Sequence, residues 1–125
     1  MRRILVIDDE RDIRDVLRLS LELLGGWTVT TGQNASEGIS LARTLQPDAI
    51  LMDFMMPDMD GTVAARALHA DDRTAGIPIL LLTAKPIAPG QADAFVGISG
   101  ILRKPFDPAT LHVAVAEALG WSADR

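Results

Sequence analysis

Residues 51–61 read Leu-Met-Asp-Phe-Met-Met-Pro-Asp-Met-Asp-Gly, and Asp53 closes the apolar run Ala49–Met52. A carboxylate set at the end of a buried strand is costly unless its charge is used. Three other apolar runs end in the same manner. Asp8 and Asp9 follow Arg3–Ile7, Thr83 and Ala84 follow Ile79–Leu82, and Lys104 and Pro105 lie just past Gly100–Leu102. If those ends converge, three carboxylates, a hydroxyl and an ammonium share one edge. Two carboxylates about 4 Å apart repel by about 4 kcal/mol at an effective dielectric of about 20. Either protons are taken up or a cation sits between them. Hard oxygen donors without His or Cys suit Mg²⁺, with Mn²⁺ as the alternative. A divalent ion reverses the repulsion and attracts a phosphoryl group. An ionised carboxylate is a competent nucleophile toward phosphorus and gives an acyl phosphate. Lys104 can neutralise phosphoryl oxygens as a point charge, and Thr83 can hydrogen-bond one of them. Asp53 is therefore read as a phosphoryl acceptor.

The elements that would position these groups follow from periodicity. Arg3–Ile7 is a first strand, and Ile13, Val16, Leu17, Ser20, Leu21 and Leu24 recur at helical spacing up to Gly25-Gly26. Trp27–Thr31 reads as a second strand, and Asn34 with Glu37 as a capping pair opening a helix to about Leu45. Pro47-Asp48 ends it before the strand Ala49–Met52. A helix follows Gly61 through Val63, Ala64, Ala67 and Leu68, then come strands Ile79–Leu82 and Gly100–Leu102. Asp107-Pro108 predicts a cap and a first helical proline for a last helix ending near Leu119-Gly120. Five β/α units of uniformly apolar strands predict a parallel sheet covered on both faces. The expected class is α/β, a doubly wound, flavodoxin-like fold of strand order 2-1-3-4-5. Its ligand crevice lies beyond the strands' carboxyl ends, where the order reverses between strands one and three.

Bulk properties narrow the classes further. A chain of 125 residues suits one domain, and 48% hydrophobic residues fill a real core. We expect the domain over residues 1–121 and a short tail over 122–125. A net charge of −5 disfavours direct nucleic-acid binding, which needs a basic face. The apolar run Ile4–Ile7 is too short for a signal peptide, no run approaches the about 20 residues of a membrane span, and there is no cysteine. A cytoplasmic protein away from the membrane is expected.

The phrases Val-Ile-Asp-Asp-Glu (6–10), residues 51–61 above, Leu-Leu-Thr-Ala (81–84) and Arg-Lys-Pro-Phe (103–106), in this order and spacing, resemble the receiver domains of two-component response regulators. The resemblance runs from the first strand to the last helix. It implies that Asp53 takes its phosphoryl group from the phosphohistidine of a sensor histidine kinase or a histidine phosphotransfer protein. It implies that Asp9, Asp53 and the backbone carbonyl of Met55 hold Mg²⁺, with Asp8 acting mainly through metal-bound water. Thr83 and Lys104, with Ala84 beside them, would bind phosphoryl oxygens, and the Lys104–Pro105 peptide would be cis. The domain would catalyse only its own phosphorylation and its own dephosphorylation by in-line attack of water. Its output would be a changed surface offered to a downstream protein.

Several positions depart from the family's pattern. Ile101 stands where receivers usually carry Tyr, Phe or His, whose ring swings inward as the Thr hydroxyl moves. A β-branched isoleucine is stiff and has no polar tip. Switching through Thr83 and Ile101 is therefore expected to rely on backbone movement of residues 84–90. Pro86, Pro89 and Gly90 predict that a fourth helix starts no earlier than about Pro89. Met55 and Lys85, two residues after Asp53 and Thr83, are bulky and are expected to slow hydrolysis. Asp58 and Asp60 read as turn and cap residues, and His69 and His112 as surface or half-buried residues. Along the last helix Leu111, Val115 and Leu119 can face the sheet, leaving Val113, Ala116 and Trp121 on other faces. Ser99 and Gly100 replace acidic residues common in dimers of DNA-binding regulators, so a monomer or weak dimer is expected. Two rival classes remain to be weighed: a receiver-like interaction module working without phosphorylation, and an aspartate-nucleophile phosphatase. The second would need an acid two residues after the nucleophile, where this chain has Met55.

Overall fold

The computed structural model describes residues 2–84 and 97–121 of the chain. Along it run β1 (Arg3–Ile7), α1 (Arg11–Leu23), β2 (Thr28–Gly32), α2 (Ala35–Leu45), β3 (Ala49–Asp53), α3 (Gly61–Ala70), β4 (Ile79–Thr83), β5 (Ile98–Arg103) and α4 (Leu111–Leu119). The strands form one parallel sheet in the order β2-β1-β3-β4-β5. That is the expected doubly wound α/β fold with its reversal between β1 and β3. The expected helix near Pro89 and the switching segment at 85–90 lie outside the described residues.

Strand alternation divides the core in two. Leu5, Ile7, Ile50, Met52, Ile79 and Leu81 point to one face, where Ala35, Ile39 and Ala42 of α2 and Ala64, Ala65 and Leu68 of α3 cover them. Ile4, Val6, Val29, Leu51, Leu80 and Leu82 point to the other, under Leu17 and Leu21 of α1 and Leu111, Val115 and Ala116 of α4. Burial of each of the Val, Leu, Ile and Met side chains among them stabilises the fold by about 1.5–3 kcal/mol. Two glycines permit the close approach of helix to sheet. A Cβ on Gly38 of α2 would lie 2.3 Å from Cδ1 of Ile7, and one on Gly61 would lie 2.8 Å from Cδ2 of Leu81.

Helix starts follow local chemistry, with one correction. Asn34 caps α2 by accepting the amide of Glu37 at 2.8 Å, and Asp60 caps α3 by accepting those of Thr62 and Val63. Asp107 does not open α4. Its side chain accepts the amide of Ala109, and its carbonyl accepts from Thr110 and Leu111, which closes a separate turn over residues 108–110. Thr110, at φ −120° and ψ −1°, breaks from helical geometry, so α4 proper begins at Leu111. Strand β5 is longer than its apolar centre predicted, because its pairing with β4 continues through a register shift from Ile98 to Arg103. Ala116 is buried and Trp121 packs on the core, contrary to the expected outward placement. Trp121 is held there by Trp27, whose ring meets its own edge to face at 5.2 Å, and by the Arg2 guanidinium 4.1 Å over it. Among the described residues, no helix is long and apolar enough to cross a membrane.

Candidate phosphoryl-transfer site

The carboxyl ends of β1, β3, β4 and β5 meet in a cleft of about 240 Å³ lined by Asp9, Glu10, Asp53, Phe54, Met55, Thr83, Ala84 and Lys104. Parallel pairing puts them there, since Ile7 stands opposite Met52, Asp53 opposite Leu82 and Thr83 opposite Arg103. Asp8 is fully buried, Asp53 and Thr83 are buried, and Asp9 is exposed. The ammonium of Lys104 bridges the two buried acids, with Nζ 3.2 Å from Oδ2 of Asp8 and 3.3 Å from Oδ1 of Asp53. The Lys104–Pro105 peptide is cis, as the resemblance implied. Lys104 follows directly on β5, and its amide donates to the carbonyl of Thr83 at 2.8 Å, which joins the two strand ends.

The electrostatics match the crowding. Burial, then the Asp8 carboxylate, push the Asp53 carboxyl up to about 6, against the opposing charge and hydrogen bond of Lys104. Burial acts to lower the Lys104 pKa, but Asp8 and Asp53 outweigh it and hold the ammonium above its ordinary value. One oxygen from each of Asp8, Asp9 and Asp53 lies within 4.8 Å of the others. The donor set is oxygen only and fits a hard cation.

Neighbouring residues set the loop around Asp53. The amide of Phe54 donates to Leu82 and that of Gly61 to Phe54, at 2.9 and 2.6 Å. A Cβ on Gly61 would also sit 3.1 Å from the carbonyl oxygen of Asp53, so α3 starts directly against the end of β3. Met56 packs in the core, whereas Met55 is 60% exposed at the cleft. Ile101 pairs with Leu81 and packs, partly buried, against the core shared by α2 and α3. His69 is exposed and His112 half-buried, both away from the cleft lining.

Three contributions were not legible beforehand. Glu10 is the residue preceding α1, and its amide donates to Oδ1 of Asp8 at 2.9 Å. Asp58, read as a turn residue, caps α2 from the loop after β3. Its carboxylate accepts the amides of Ala35 and Ser36 and the Ser36 hydroxyl at 2.9–3.1 Å. The Ser36 amide is the main cause holding the Asp58 carboxyl below its ordinary value. Arg14 reaches back from α1 to the carbonyl oxygen of Asp8 at 2.8 Å. The Asp58 contact joins segments 22 and 23 residues apart, and the two contacts to Asp8 depend on how the turn after β1 folds back, so hydrophobic periodicity announces none of them.

Fold and site together define an acidic cleft at the carboxyl ends of the strands of a doubly wound parallel sheet. The response regulator receiver domain model matches residues 4–116, and the chain belongs to that family. It is 41% identical, over its whole length and 52% of the relative, to the DNA-binding dual master transcriptional regulator RpaA of Synechocystis. It is 34% identical, over 88% of this chain and 48% of the relative, to the phosphate regulon transcriptional regulatory protein PhoB of Pseudomonas aeruginosa. The chain thus spans about half the length of these curated relatives. Among solved structures, the chemotaxis response regulator CheY4 of Vibrio cholerae superposes with a TM-score of 0.86. It is 31% identical, and the match covers 94% of this chain and 98% of that one. The N-terminal domain of a response regulator receiver protein from Methanoculleus marisnigri matches with a TM-score of 0.79 at 33% identity, covering 98% of this chain and 99% of that one.

Proposed function

We propose that this receiver domain, comprising residues 1–121, is a phosphorylation-driven switch with Asp53 as its acceptor. The supporting observation is the Lys104 ammonium bridging the buried Asp8 and Asp53 at 3.2 and 3.3 Å. Burial and the Asp8 carboxylate disfavour an ionised Asp53, and forming the acyl phosphate moves the negative charge from the carboxylate onto phosphoryl oxygens within reach of Lys104. A carboxylate oxygen of Asp53 attacks the phosphorus of a phosphohistidine on a sensor histidine kinase or histidine phosphotransfer protein. The P–O bond forms as the P–N bond breaks, and the electron pair leaves with the imidazole. Lys104 and the Thr83 hydroxyl hold phosphoryl oxygens, with Ala84 lining the same wall. Mg²⁺, or Mn²⁺, held by Asp9, Asp53 and the Met55 carbonyl and by Asp8 through water, would supply neutralisation of the phosphoryl charge. In a separate step that resets the switch, water attacks phosphorus in line, the P–O bond to Asp53 breaks with its electron pair returning to the carboxylate, and inorganic phosphate leaves, the water proton passing to phosphate or solvent.

The output is a changed protein surface read by a downstream protein in the cytoplasm, with the domain a monomer or weak dimer. Direct DNA contact by this domain is disfavoured by its net charge of −5. Ile101, stiff at χ1 and packed against the core, favours switching by backbone movement next to Thr83 over side-chain rotation. The test is intact-protein mass spectrometry after incubation with acetyl phosphate and Mg²⁺. Wild type should gain the mass of one phosphoryl group, and Asp53→Asn should not. Equal labelling of the two proteins would refute the assignment. No labelling of the wild type under any phosphodonor would favour an interaction module that works without phosphorylation.

A further inference from the structure

Asp8 is fully buried, and its hydrogen-bonding atoms are engaged from four directions. Its amide donates to the carbonyl of Gly32 at 3.1 Å, continuing the ladder with β2. Its Oδ1 accepts the Glu10 amide at 2.9 Å, and its Oδ2 accepts Lys104 Nζ at 3.2 Å. Its carbonyl oxygen accepts Nη1 of the half-buried Arg14 at 2.8 Å. The first three contacts come from backbone or from the site itself. The fourth is a side chain one turn into α1, with no place in the phosphoryl-transfer reading. It fixes the peptide that joins Asp8 to Asp9. Asp9 is exposed, so the position of its carboxylate depends on how that peptide is held.

We propose that Arg14 is a positioning residue for the cation site: its charged hydrogen bond to the Asp8 carbonyl locks the β1–α1 turn so that Asp8 and Asp9 present their oxygens together. The inference rests on the reading of Asp8, Asp9 and Asp53 as a Mg²⁺ site. Charge alone gives the opposite sign. Arg14 is a cation one peptide away from an acidic cluster, so removing it should tighten Mg²⁺ binding if its role were only electrostatic. A positioning role makes removal weaken binding. Groups that orient metal ligands through hydrogen bonds typically change metal affinity by about 10–100-fold. Arg14 acts through backbone, and the lower end, about tenfold, is expected.

The experiment titrates Mg²⁺ into the unphosphorylated protein by calorimetry, and follows the amide resonances of Asp9 and Asp53 by NMR. Arg14→Met keeps the aliphatic bulk and removes donor and charge, while Arg14→Lys keeps a charged donor. Arg14→Met should weaken Mg²⁺ binding about tenfold at an unshifted urea midpoint, and Arg14→Lys should recover part of the loss. Unchanged or tighter binding by Arg14→Met overturns the proposal. If Arg14→Met does not fold, Arg14→Gln replaces it, with weakening in support and unchanged affinity against. A wild type that binds Mg²⁺ while the variants match it condemns the role of Arg14 alone. A wild type that binds none condemns the site reading and this inference with it.

Discussion

Replacing Asp53 by asparagine should make the metal-free protein more stable, by an amount that depends on pH. The folded-state pKa of Asp53 is raised from 3.8 to about 6, by burial first and the Asp8 carboxylate second, net of the Lys104 contact. A carboxyl that binds its proton more tightly when folded favours folding most while it is protonated. Its stabilising effect is fully present below the unfolded value, declines as pH rises from about 4 to about 6, and is gone above that. A shift of about 2 units at 1.36 kcal/mol each bounds the cost of the ionised form at about 3 kcal/mol. The open side of the cleft screens the charge, which reduces the figure to about 1–2 kcal/mol. For a domain of this size each kcal/mol moves Tm by about 3–5 °C. Asp53→Asn should therefore melt about 3–10 °C higher than wild type at pH 8 in chelator, and at nearly the same temperature at pH 4. Differential scanning calorimetry across that range is the assay. A variant less stable than wild type at pH 8, or a gain as large at pH 4 as at pH 8, would show that the carboxylate is not held at a cost. The reasoning from crowding to chemistry would then fail.

Two further predictions concern the scaffold. Gly38→Ala should destabilise by about 1–3 kcal/mol despite alanine's better helix propensity, because its Cβ would fall 2.3 Å from Cδ1 of Ile7. Ile7→Val, which removes that atom, should recover part of the loss in a urea double-mutant cycle, and strict additivity of the two changes would contradict the contact. Trp121→Ala should cost about 2–3 kcal/mol by removing the edge-to-face pair with Trp27 and the Arg2 stack, and the fluorescence of Trp27 should shift to the red on exposure. An unchanged urea midpoint would sever the terminal segments from the stability of the core.

The strands and the four converging ends were legible because an apolar run that stops abruptly on a charge is a local signal. So was the coupling of Asn34 to Glu37 and of Asp60 to the amides that follow it. What stayed hidden depended on backbone detail and on contacts that apolar periodicity does not encode. Asp107-Pro108 has the composition of a helix start, yet Asp107 closes a turn first, because Thr110 leaves helical geometry. Trp121 and Ala116 looked spare on a helix wheel, but the Trp27 ring and the Arg2 guanidinium sit where they can cover or be covered. Asp58 looked like one of several turn acids, and only folding brings the start of α2 to it.

The two-sided core has a directional consequence. Thr83 has the same parity along β4 as Ile79 and Leu81, and that row abuts the layer to which Ile101 belongs. Leu80 and Leu82 alternate to the opposite layer, beneath α1 and α4. The sheet is a partition: were a push to begin at the Thr83 hydroxyl, it would meet the compartment of α2 and α3 first, with the compartment of α1 and α4 lying beyond the partition.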